Sequence, residues 1–171
     1  MIITKPEPSE YHKHYDNYIS KVEQNDLLLA LAENEKKFSE FIKNIQSAKL
    51  DYRYAESKWT IKEIVIHLTD AERIFAYRTL RFARNDKTAL AGFEENNYVP
   101  ESNAVNRTLD SLLEEFIAVR KATTILFKSF TAEMYLRKGK ANEQEISVRA
   151  LGFTIVGHTI HHQQIILERY L

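Results

Sequence analysis

The sequence predicts an all-α fold, a four-helix bundle running up, down, down, up, and three observations carry that expectation. Four glycines and three prolines in 171 residues are too few turn-formers for an all-β chain. Apolar residues recur at three- and four-residue spacings over four long stretches. Between the second and third of these, "DKTALAGFEENNYVPESNAVNR" (86–107) shows no sustained period and is too long for a tight turn, which suits a crossover connection. A chain of this length is expected to form a single domain, 1–171, able to bury a continuous core without disulfides.

The elements follow in order. "KPEPSEY" reads as an extended lead segment, with a short helical piece expected between Tyr11 and Val22. Asp26 is placed to cap a first long helix whose stripe is Leu27, Leu28, Leu31, Phe38, Phe41, Ile42 and Ile45. "TIKE" is a capping box, with Thr60 and Glu63 each able to satisfy the other's amide, so a second helix is predicted from Ile61 to about Asn85. Its apolar stripe is Ile64, Leu68, Ala71 and Phe75, with His67 at the stripe's edge and Lys62, Glu63 and Arg73 on the charged side. A third helix is expected from Thr108 to about Phe130, burying Leu109, Leu112, Leu113, Phe116, Val119, Ile125 and Leu126. "TAEMYL" suggests a helical turn and "RKGKANEQE" a turn-like linker, after which Ser147 caps a fourth helix running almost to the end.

Composition excludes several classes of function. Twenty-four basic residues balance twenty-four acidic ones, so no net field favours nucleic acid or an anionic membrane surface. Without cysteine there is no disulfide framework, no thiolate metal site and no cysteine nucleophile. The first residues lack the basic start and apolar run of a signal peptide, and no stretch of about 18 apolar residues exists, so a cytoplasmic protein is expected.

The closing stretch "VGHTIHHQQIILERYL" places three histidines in an otherwise apolar helix. At about 100° per residue, His158 and His162 fall on the core-facing stripe with Leu151, Ile155 and Ile165, while His161 lies roughly 80° to the side. Two histidines one turn apart are a recurrent bidentate metal arrangement, since both imidazoles reach one point. Burying them without partners would cost about 1–3 kcal/mol per unsatisfied polar group. His67 offers a third ligand. At a rise of 1.5 Å per residue it lies roughly 9 Å into the second helix, while His162 and His158 lie roughly 10 and 16 Å back from the fourth helix's end. Those depths match only if the second and fourth helices are antiparallel, which is the topology a crossover at 86–107 allows. Taken singly, a histidine at a helix interior is more often a hydrogen-bonded core or rim residue than a metal ligand. His12 and His14 read as solvated.

The stretches "WTIKEIVIHLTDAERIFAYRTLRFARNDKT", "NRTLDSLLEEFIAVRKAT" and "SVRALGFTIVGHTIHHQQIILERY" together resemble the DinB/YfiT-like superfamily of metalloenzymes over nearly the whole chain. The marks are Trp59 ahead of the helix, His67 followed by Leu68 and Asp70, and the terminal pair His158 and His162. The resemblance implies a four-helix bundle with a crossover and a tendency to form homodimers. It also implies a divalent metal, zinc or nickel, on the residues matching the family triad, His67, His158 and His162. Characterised relatives include enzymes that transfer or isomerise with low-molecular-weight thiols such as bacillithiol and mycothiol, and many others have no assigned activity.

Three histidines on two helices leave a coordination position open, as a catalytic site requires, and donor chemistry alone also admits iron or manganese. The leading expectation is a metal-dependent enzyme that transfers a low-molecular-weight thiol to an electrophilic small molecule. The alternatives are a metal-dependent hydrolase, a non-catalytic metal-binding stress-response module, and a dimeric bundle whose histidines form a polar core network. Asp70 is weighed as an acceptor orienting an imidazole or as a surface partner of Arg73. His161 is weighed as a pocket-lining group or as surface. Tyr54, Trp59, Phe93 and Tyr98 are candidates for a pocket mouth, and Glu94, Glu95, Asn96 and Asn97 lie on the loop nearest it.

Overall fold

The computed structural model describes all 171 residues, which form seven α-helices and one β-hairpin. The helices are α1 (Asp16–Ile19), α2 (Leu27–Lys43), α3 (Ile61–Ala83), α4 (Glu95–Glu101), α5 (Leu109–Lys128), α6 (Ala132–Leu136) and α7 (Val148–Arg169). Strands β1 (Lys138–Ala141) and β2 (Gln144–Ser147) pair antiparallel between α6 and α7. The four long helices begin at the expected caps. Asp26 accepts from the Leu28 amide, Thr60 from Glu63, Thr108 from Ser111 and Ser147 from Ala150, each satisfying an amide that has no partner inside its helix. At Thr60 the box closes in both directions, because the Glu63 carboxylate also accepts from the Thr60 amide at 2.7 Å.

Contacts at the helix ends fix the topology. Lys62, at the start of α3, donates to the Val105 carbonyl just ahead of α5, and Arg84, at the end of α3, lies over the Phe130 ring just beyond α5, so these two helices are parallel. The Tyr170 hydroxyl donates to the Trp59 carbonyl, placing the end of α7 at the start of α3. Lys49 donates to the Tyr170 carbonyl, so α2 and α7 finish at the same end. The rings of Phe38 and Phe116 meet 5.1 Å apart while Arg120 reaches back to the Leu31 carbonyl, so α2 and α5 are antiparallel. The bundle therefore runs up, down, down, up. The crossover that lets α3 and α5 run parallel is not irregular throughout: it contains α4 and a 3-10 turn at Ala104–Asn106. No helix is long and apolar enough to cross a membrane.

Two apolar clusters fill the bundle, one around Leu27, Leu31, Phe82, Phe127 and Phe153, the other around Phe38, Ile64, Leu113, Phe116 and Ile166. Between them lies a polar layer. Arg120 is fully buried and its guanidinium touches all the other bundle helices: Glu72 of α3 at 2.9 Å, Asn34 and the Leu31 carbonyl of α2 at 2.8 and 3.3 Å, and Thr159 of α7 at 3.3 Å. This corrects the expected inner face of the third helix. The buried positions are Leu112, Leu113, Phe116, Arg120, Thr123 and Phe127, while Ile125 is 60% exposed and Val119 only half-buried. Lys62 and Glu63, expected on a solvated face, are buried too, held by Asp51 and by Arg53 respectively.

The turn-like segment proves to be the hairpin. Asn142 and Glu143 both take the left-handed conformation, φ 48° and 62°, as a tight two-residue hairpin turn demands. Gly139 lets β1 lie on α3, because a Cβ there would fall inside the Phe82 ring. The hairpin in turn pins the crossover, as Leu90 exchanges backbone hydrogen bonds with Lys140 and Asn142. The lead segment is tied down by Glu10, which accepts from the Ser147 hydroxyl and from Arg149. At Gly157 a Cβ would stand 2.0 Å from the Tyr18 carbonyl oxygen, so α1 rests directly on the α7 backbone and brings Tyr18 over the histidines.

The Arg120 network makes a stability prediction. Arg120→Met alone should cost about 3–5 kcal/mol in urea denaturation, because Glu72 is left buried and unpaired. The double replacement Glu72→Leu, Arg120→Met should recover most of that loss, and a single substitution costing under about 1 kcal/mol would contradict the assignment.

Candidate metal centre

His67 lies on the second turn of α3, and His158 and His162 lie one turn apart on α7. Because the two helices are antiparallel, the three residues meet at one level. The Nε2 atom of His158 is 3.2 Å from that of His67 and 3.1 Å from that of His162. A ligand atom from each residue can be chosen so that all three lie within 4.8 Å of one another. His67 and His158 are buried, and His162 is half-buried.

The donor set fits a small cation. Nitrogens bound at about 2.0–2.1 Å stand roughly 3.3 Å apart on a tetrahedral metal and roughly 2.9–3.0 Å apart on an octahedral face, and the two separations measured from the His158 nitrogen fall in that range. Hydrogen bonding between the imidazoles does not account for the same arrangement. The His158 Nε2 atom has one proton or one lone pair to offer two neighbours, and it cannot bond both well. Burial pushes the His67 pKa down to about 4. Burial, together with the neighbouring histidines, holds His158 and His162 well below the usual histidine value. All three are thus neutral at pH 7, with lone pairs available.

The centre forms the floor of a pocket of about 370 Å³. Trp59 packs against His67 with ring centroids 4.6 Å apart, Tyr18 meets His158 edge-on at 5.2 Å, and Phe75 closes the far side of His158 at 6.1 Å. Arg78, Phe93 and Glu95 complete the wall opposite. A second pocket of about 210 Å³ shares Trp59 and His162 and is bounded by Tyr54 and Tyr170.

The other sequence candidates separate cleanly. Asp70 pairs with Arg73 at 3.2 Å and bonds to no imidazole; burial raises its pKa, against the pull of Arg73. His161 lines the pocket and stacks edge-on with Tyr18 at 5.5 Å, but stays out of the three-nitrogen cluster. His12 is exposed and its Nδ1 accepts from the His14 amide, whereas His14, although exposed, rims the pocket and is not merely solvated. Of the aromatics, Trp59 and Phe93 line the pocket, Tyr54 the neighbouring one, and Tyr98 stands behind Phe93 at 5.5 Å. Glu94 caps α4, Glu95 faces the histidine pocket, Asn96 the second pocket, and Asn97 neither. Tyr18, Arg78 and Asn142 line the pocket without having been expected there. For Arg78 a signal was present, since His67, Ala71, Phe75 and Arg78 follow at spacings of four, four and three, the pattern of one helix face.

The sequence profile of the DinB superfamily matches residues 30–166, from the first turn of α2 to the last of α7. The chain belongs to the DinB superfamily. No curated protein matches it. Among solved structures, it is similar to YfiT from Bacillus subtilis, with a TM-score of 0.75 and 19% identity, over 96% of this chain and 90% of that one. YfiT is described as a probable metal-dependent hydrolase with an unusual four-helix bundle topology. At this identity the likeness shows a shared four-helix bundle fold and nothing finer.

The buried neutral imidazoles make a prediction for the metal-free protein. With their pKa values depressed, stability is at its full level above the ordinary value of 6.5 and falls as pH drops below it, for His67 down to about 4, because the unfolded chain takes up protons that the folded chain refuses. The urea midpoint should fall through that window, and His67→Ala should flatten the decline. A midpoint independent of pH between 6.5 and 4.5 would contradict the burial argument.

Proposed function

We propose that this DinB protein is a metal-dependent enzyme in which His67, His158 and His162 hold one divalent cation, zinc or nickel, and whose reaction transfers a low-molecular-weight thiol to an electrophile. The observation that carries the reading is the convergence of three neutral imidazole nitrogens, 3.1 and 3.2 Å apart, on the floor of an accessible pocket. A divalent cation at such a site lowers the pKa of a thiol or water that reaches it.

The residues favour a thiol. The three histidines approach from α3 and α7 and leave the pocket side free for a reactant. No carboxylate hydrogen-bonds to any of them, and the one carboxylate in the pocket wall is Glu95. A thiol, with an ordinary pKa of about 8.5 against 15.7 for water, makes a far smaller demand on the site. The chain has no cysteine, so that thiol arrives as a cosubstrate. The aromatic walls of Tyr18, Trp59, Phe75 and Phe93 exclude water from the reactants' carbon skeletons.

Hydrolysis is the second reading, favoured by the description of YfiT and by Glu95 in the pocket wall. Zinc-loaded protein should accelerate conjugation of small thiols to chlorodinitrobenzene, lose that activity on chelation and regain it with zinc. His158→Ala should lower it by about 100-fold or more. Ester cleavage without added thiol would decide for the hydrolase, and silence in both assays with metal bound would reduce the protein to a binding module.

A further inference from the structure

Only two arginines of this chain are buried, Arg78 and Arg120, and they are treated very differently. Arg120 is neutralised by Glu72. Arg78 is 4% exposed and has no carboxylate within salt-bridge distance; its one hydrogen bond inside the protein goes to the Ala91 carbonyl at 3.0 Å. Burial without a counter-charge pushes its pKa down. A buried guanidinium is costly unless paired, and here the unpaired group is held in position. Its carbon lies 5.8 Å from the Phe75 ring centre and 6.0 Å from that of Phe93, and the Ala91 bond fixes one edge. The Nη2 atom is thereby engaged, Nε and Nη1 have no hydrogen-bond partner in the protein, and Arg78 lines the pocket it shares with the histidines.

We infer that Arg78 is the anion receptor of this pocket and that one reactant carries a carboxylate, bound by Arg78 while its reactive end lies at His67, His158 and His162. The inference rests on reading the pocket as the active site. Phe75, which touches both Arg78 and His158, is the apolar span between the two ends. Arg78 is eleven residues from His67 on the same helix face, roughly 16 Å of rise, and its side chain leans back toward the N-terminus and so toward the histidines. A carboxylate fits better than a phosphate. The pocket offers one guanidinium and also contains the Glu95 carboxylate. A dianion would meet that carboxylate with little to offset it. A monoanion with two coplanar oxygens matches the fork of one arginine.

The test compares ω-mercaptocarboxylates of three, six and eight carbons with mercaptoalcohols of equal length, on the full chain loaded with cobalt. Two readouts run together: the cobalt–thiolate absorption band, and the fluorescence of Trp59, the only tryptophan, which lines the pocket. At one or more lengths the carboxylate should bind about 10- to 100-fold tighter than the alcohol. Arg78→Met should abolish that preference, carboxylate affinity falling to that of the alcohol in the same variant, and Arg78→Gln, which keeps a donor for the Ala91 carbonyl, guards against a folding defect. Equal affinities in the unaltered protein, or a preference that survives in both variants, would overturn the inference. Tighter binding of 6-mercaptohexyl phosphate than of the carboxylate would overturn the choice of anion. A carboxylate preference in fluorescence with no thiolate band would keep Arg78 and sink the metal–thiol reading instead.

Discussion

The guanidinium of Arg120 sets the register of the bundle. It is the one group bonded to α2, α3 and α7 at once while belonging to α5, and it sits between the two apolar clusters. Hydrocarbon packing alone is poorly directional, and a helix displaced by one turn, about 5.4 Å, would still bury its stripe. Glu72 and Thr159 cannot tolerate that displacement, since either would lose a buried partner. Thr159 immediately follows His158, and Glu72 lies five residues beyond His67. The same bonds that align α3 with α7 therefore bring the three imidazole nitrogens to one point.

Around that alignment the smaller elements find their purpose. Gly157 admits the backbone of α1 and sets Tyr18 over the centre, and the hairpin grips Leu90 so that Ala91 and Phe93 can hold Arg78. A polar layer through the middle of a small bundle costs stability unless its groups are satisfied. The Arg120 set is satisfied within the protein; the histidines are not, for two imidazoles crowd the single Nε2 atom of His158. That contrast distinguishes a structural network from a site built to receive something.

Much of this was legible in the sequence where a period or a cap carries the information. Thr60 with Glu63, the stripe holding His158 and His162, and the unpatterned length of 86–107 led to the topology and the histidine level. Arg120 was hidden because an arginine followed by a lysine, in "AVRKAT", reads as a solvated face; its partners lie 48 and 86 residues away in the chain. The hairpin was hidden because its turn is Asn142–Glu143 without the glycine that announces such turns, and its strands are four residues each. Arg78 lay in plain view on the histidine face, yet only the course of the crossover shows that no carboxylate meets it.

The central claim is that His67, His158 and His162 form a metal site and not a polar core. X-ray absorption at the zinc edge, on protein reconstituted with one equivalent of zinc, tests it most directly. The account predicts a first shell with three imidazole nitrogens at about 2.0–2.1 Å and at least one solvent oxygen besides. Zinc that fails to bind stoichiometrically, or a shell of oxygens without imidazole scattering, would contradict it.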